Sequence, residues 1–132
     1  MRVSKNGVMK TLLRVVVVAG FLGLAACSDG GGSTDAIESQ VLASATVIDV
    51  RTPEEYAEGH LDGATLIDIK SSTFDDQLAA LDPAGSYVVY CRSGNRSAQA
   101  VEKMKAAGFT DVTDLGSLEE ASAATGIAIV GG

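Results

Sequence analysis

Residues 87–100 read YVVYCRSGNRSAQA, with one cysteine set between an apolar run and a loop of Arg92, Ser93, Gly94, Asn95 and Arg96. The thiolate is the nucleophilic form of cysteine, and nearby cations and the free N–H groups at a helix start both favour it. The loop supplies both kinds of group. Gly94 permits the positive φ of a tight curl, and Asn95 tolerates it better than most residues. Beyond the loop, Ala100, Val101, Met104 and Ala107 recur at helical spacing, so a helix N-terminus is expected to point at the sulfur. This combination predicts Cys91 as a covalent nucleophile over an anion site, with its pKa lowered. The plainer alternative is an inert core cysteine, but two arginines, two serines and an asparagine among residues 92–97 do not suit a core. One histidine and two cysteines make no metal cluster, and neither a metal nor another cofactor is expected.

The elements that must hold Cys91 alternate along the chain. TVIDV (46–50), ATLIDI (64–69), SYVVY (86–90) and DVTDL (111–115) read as strands, the third wholly apolar after its serine. Between them, TPEEYAEG has Thr52 as N-cap, Pro53 at the first helical position, Glu55 closing a capping box and Gly59 as a stop. STFDDQLAALDPAG is expected to be a helix opened by Thr73 and Asp76, and Ser117 with Glu120 caps a last helix. Asp35 and Glu38 form a similar pair ahead of AIESQVLAS, and an apolar tail GIAIVGG ends the chain. Such alternation predicts one α/β domain over 36–132 with a mostly parallel sheet and right-handed crossovers. In sheets of this kind the working site lies at the carboxyl ends of the strands, where SYVVY delivers Cys91.

Of 132 residues, 46% are hydrophobic and 20% charged, a globular balance. The first 26 stand apart: Arg2, Lys5, Lys10 and Arg14 precede the apolar VVVVAGFLGL and small residues, the layout of an export signal. The run is shorter than the roughly 20 apolar residues of a spanning helix. Residues 27–132 carry all 17 acidic residues and 6 of the 10 basic ones, a formal −11, which argues against nucleic-acid binding. CSDGGGSTD (27–35) is expected to be a flexible tether with a reach of about 15 Å.

Two resemblances sharpen these expectations. Leu24-Ala25-Ala26-Cys27 resembles the lipobox of bacterial lipoproteins, which implies cleavage before Cys27, lipid on its thiol, and anchoring to the outer leaflet of the cell membrane. In a cell with two membranes, Ser28 after the cysteine implies the periplasmic face of the outer one. Cys91 would then be the only free thiol.

From about Val47 to Leu118 the chain resembles a single-domain rhodanese, a sulfurtransferase. The resemblance is carried by VIDVRTPEEYAEGHLDGA, by VVYCRSGNRS and by GFTDVTDLGS. It implies a mostly parallel five-stranded sheet flanked by helices. It also implies that Cys91 takes sulfur from thiosulfate, a persulfide or polysulfide and passes it to cyanide or a thiol. The N–H groups of residues 92–96 would cradle that sulfur, and Arg92 and Arg96 would orient an anionic donor. Asp49, Arg51 and His60 belong to the family pattern, and their residue types and positions read as structural. After LGS many family members have a tryptophan, whose place Ala121 takes here. Phosphatases and arsenate reductases of the same fold also pair a cysteine with an arginine, but across a loop one residue longer than the four residues between Cys91 and Arg96. A non-enzymatic sulfur-binding or thiol-sensing domain is the other alternative.

Overall fold

In the computed structural model, which describes residues 32–132, SYVVYC forms β4 (Ser86–Cys91), with Tyr87 to Cys91 all buried. β1 (Thr46–Asp49) lies beside it, β3 (Thr65–Leu66) beyond β1, and β5 (Asp111–Ser117) on the other side, in the order β3-β1-β4-β5. Every pairing in this sheet is parallel. The helices are α1 (Gly32–Ser44), α2 (Pro53–Glu58), α3 (Phe74–Ala79), α4 (Asn95–Ala106) and α5 (Leu118–Thr125). None of the helices among the described residues is long and apolar enough to cross a membrane.

The two-residue period of the strands divides the core between the faces of the sheet. Ile48, Val50, Tyr87, Val89 and Cys91 pack with Phe74 and Leu78 of α3 and Ala100, Val101 and Met104 of α4. Val47, Val88 and Tyr90 pack on the opposite face with Leu61, Leu115 and Ala121 of α5. Each fully buried aliphatic or aromatic side chain contributes roughly 1.5–3 kcal/mol relative to exposure. Ala121 is fully buried, so this residue of α5 is a core contact.

Among the described residues the sheet has four strands, not the five expected. The remaining pairing is a separate antiparallel ribbon of β2 (His60–Leu61) with β6 (Ile129–Val130), so the apolar tail folds back beside α2. These two-residue segments are too short to carry a period. They are tied to the main sheet by a side chain, the Tyr90 hydroxyl, which accepts the Leu61 N–H at 3.1 Å. Both capping boxes, Thr52 with Glu55 and Ser117 with Glu120, form as expected. Thr73 precedes α3 but makes no side-chain cap, and its Oγ1 accepts from Gln77 Nε2 instead. α1 spans Gly32–Ser44, so Asp35 lies within it where a helix start was expected, and the helix takes up part of the segment expected to be tether. The export signal and Cys27 lie outside the described residues.

Candidate active site

The apolar neighbours of β4 fix Cys91 at the strand's carboxyl end, with no exposed surface. Gly94, at φ 89°, then turns the chain left-handed into α4. A side chain at residue 94 would be strained for that reason, and a Cβ there would also sit 3.4 Å from Gly116 Cα. The two glycines meet because β5 has a bulge where Val89 pairs with Asp114 but Cys91 pairs with Ser117. The extra residue and the φ of 76° at Gly116 push bare backbone under the loop.

The curl aims donors at sulfur. Gly94 N–H reaches Cys91 Sγ at 3.0 Å, and the buried Ser97 hydroxyl lies 3.6 Å from it. Burial pushes the thiol's pKa up, but the Ser97 hydroxyl and the amides of Ser97, Ser93 and Gly94 outweigh it, and the net shift is downward. Ser97 was not singled out by sequence reasoning. Its signal is its place in the first turn of the helix that follows Cys91, where a hydroxyl faces back toward the loop. Replacing Ser97 by Ala is expected to raise the Cys91 pKa, moving the midpoint of the rate of thiol alkylation against pH to higher pH. An unmoved midpoint would remove Ser97 from the account.

The two arginines behave differently. Arg92 has a side chain 72% exposed. Arg96 is folded onto Glu55 of α2 in a bidentate pair, Nη1 to Oε2 at 2.6 Å and Nη2 to Oε1 at 2.8 Å. Glu55 Oε2 also accepts the Thr52 N–H at 3.1 Å, and Oε1 lies 4.0 Å from Arg92 Nη1. The hydrogen bonds from Arg96 carry the Glu55 pKa down from 4.5 to about 2, so the pair stays ionised through the mildly acid and neutral range. Sequence reasoning assigned Glu55 to the capping box alone. No local spacing could link it to an arginine 41 residues away. Ser93 is exposed, and Asn95 Oδ1 accepts from Gln99 Nε2 on the helix surface.

Asp49 and Arg51 form a buried ion pair below the loop. Arg51 Nη2 donates to Asp49 Oδ2 at 2.7 Å and to the Gly59 carbonyl at 2.5 Å, and Arg51 N–H donates to Asp49 Oδ1 at 2.9 Å. The Arg51 guanidinium also lies 5.5 Å from the Tyr90 ring centroid. Burial and the neighbouring Asp49 carboxylate push the Tyr90 phenol above its ordinary value. His60 stacks on Tyr56 with ring centroids 3.7 Å apart, and its Nδ1–H donates to the Tyr56 carbonyl at 2.8 Å. All three side chains are thus held by partners within the protein, and Arg51 also lines the cleft beside the loop. Beside the loop lies a cleft of about 400 Å³, lined among others by Glu55, Glu58, Arg92, Leu118, Glu119 and Ile129. No cluster able to hold a metal ion occurs among the described residues.

A parallel sheet flanked by helices, with a thiol at a strand end over a tight amide curl, defines an α/β protein with a cysteine at the carboxyl edge of its sheet. Residues 34–124 match the model of the rhodanese-like domain, and the chain belongs to that family. A probable adenylyltransferase/sulfurtransferase, MoeZ of Mycobacterium tuberculosis, is 42% identical over 69 residues, 52% of this chain but 18% of that protein. The chain thus spans under a fifth of that relative's length. The thiosulfate sulfurtransferase PspE of Escherichia coli is 36% identical over 80 residues, covering 61% of this chain and 77% of the relative. The solved structure of a rhodanese with anions from Escherichia coli aligns with a TM-score of 0.57 at 32% identity, over 67% of this chain and all of that one.

Proposed function

We propose that the chain is a sulfurtransferase working through a persulfide on Cys91. The observation that carries this is the Cys91 sulfur facing the Gly94 N–H at 3.0 Å in a curl that lowers the thiol's pKa. The thiolate attacks the outer sulfur of thiosulfate, the donor's S–S bond breaks, and sulfite leaves with that bond's electron pair. The product is Cys91–S–S⁻, whose charge lies where the loop amides point. Cyanide or a thiolate then attacks the terminal sulfur and releases the Cys91 thiolate, in two half-reactions. A persulfide or polysulfide donor reacts in the same way with a thiolate as leaving group. The thiosulfate activity named for PspE, and the sulfurtransferase label on MoeZ, support this assignment. It is tested by thiocyanate formation from thiosulfate and cyanide, with a mass spectrum showing one added sulfur that a reductant removes. A protein that never gains the sulfur would overturn the proposal.

The same proposal places the domain at a membrane. LAAC after an apolar core supports lipid on Cys27, with the domain in the exported compartment. Several acyl chains hold far more firmly than one, since each buried CH₂ contributes roughly 0.8 kcal/mol. The full-length chain expressed in a bacterium is expected to partition into detergent, and its Cys27→Ser variant is not expected to carry lipid. Full-length protein in the soluble fraction with residues 1–26 still attached would count against the anchor.

A further inference from the structure

The charges around Cys91 do not suit the donor that the loop's sequence suggests. Arg92 and Arg96 are the cations closest to the loop, yet Glu55 grips Arg96 through both oxygens and stands 4.0 Å from Arg92. Arg51 is neutralised by Asp49. The adjoining cleft adds Glu58 and Glu119. Glu55 itself has no freedom to swing away, because the Thr52 N–H and two guanidinium N–H groups fix its carboxylate, and Thr52 is the N-cap of its helix. Three carboxylates thus flank the approach to the loop against Arg92 and Arg96, and a dianion crossing the cleft meets no surplus of positive charge among the side chains.

We propose that Glu55 is a specificity-determining residue that holds the loop arginines and turns the site away from dianionic sulfur donors toward donors of lower charge. This rests on the sulfur-transfer reading above. The chemistry at sulfur is unchanged by it: thiosulfate gives up its outer sulfur and leaves as sulfite, while a monoanionic thiosulfonate gives up the same sulfur and leaves as sulfinate. The two donors share the S–S bond that breaks and differ by one unit of charge, so the ratio of their rates reads the field of the site.

The experiment compares thiosulfate with methanethiosulfonate as donors to the full-length chain, with cyanide as acceptor. Glu55→Gln keeps an oxygen to accept the Thr52 N–H and removes the charge. It is expected to raise kcat/KM for thiosulfate roughly tenfold and for methanethiosulfonate about threefold, mainly through KM, because the interaction scales with donor charge. Glu55→Asp, which keeps the charge, is expected to hold the native ratio whatever its absolute rates. In the native chain, added salt should raise the thiosulfate rate relative to the thiosulfonate rate, since screening weakens repulsion more for the dianion. A ratio unmoved in Glu55→Gln, or a native ratio that falls with salt, would overturn the assignment, and equal losses for both donors would make Glu55 a structural brace only. If neither donor loads sulfur onto native Cys91, as read by mass, the sulfur-transfer reading itself fails. If both load it and the ratio stays fixed, only the role of Glu55 fails.

Discussion

Cys91→Ser is expected to leave the chain folded and to abolish sulfur transfer. The side chain is fully buried and nearly the same size as its replacement, and a serine oxygen can still accept the Gly94 N–H, so little packing is lost. What disappears is the ionised nucleophile. The hydrogen bonds from Ser97 and from the loop amides bring a thiol's pKa down, but an alcohol starts many orders of magnitude away from ionising. Removal of an activated nucleophile typically costs a factor on the order of 10³ or more. Thiocyanate production should fall to background, the thermal midpoint should shift by a few degrees at most, and the added sulfur should be missing from the mass spectrum. Undiminished turnover in this variant would sink the mechanism.

Asp49→Asn is expected to have the largest effect on stability. It leaves the Arg51 guanidinium, 5% exposed, without its counter-ion. Breaking one side of a buried pair costs about 3–5 kcal/mol, read as a fall in Tm of more than about 10 °C for a domain of this size. The double variant Asp49→Leu, Arg51→Met should recover most of the loss, because an apolar pair of similar volume carries no stranded charge. A single variant with native Tm and no activity would instead put Asp49 in the reaction.

The parts legible in the sequence were those whose cause is local. A β-branched or apolar run makes β1 and β4, a Thr-Pro-Glu-Glu start makes α2, and a glycine between strand and helix makes the curl at Cys91. The family resemblance added roles to these positions and a strand count that the structure corrects, because His60-Leu61 and Ile129-Val130 pair with each other rather than with the sheet. What the sequence could not show is contact at a distance. Glu55 serves as a capping residue and as the partner of Arg96, and only the first role has a local spacing. The arginines looked free to meet an anion because nothing adjacent in the chain opposes them. Tyr90 read as one more apolar strand residue, yet its hydroxyl ties β2 to the sheet.

The meeting of Gly94 with Gly116 bears on how such a site can change its aperture. The floor of the loop belongs to another strand, and its height is set by the bulge that offsets β5 from β4. A residue added to the loop cannot sink inward, so it must bow outward and widen the ring of amides. Pore size at the nucleophile is therefore a property of strand register as much as of loop composition. Restoring regular pairing at Ser117 would reshape the cradle without altering any of the residues that line it.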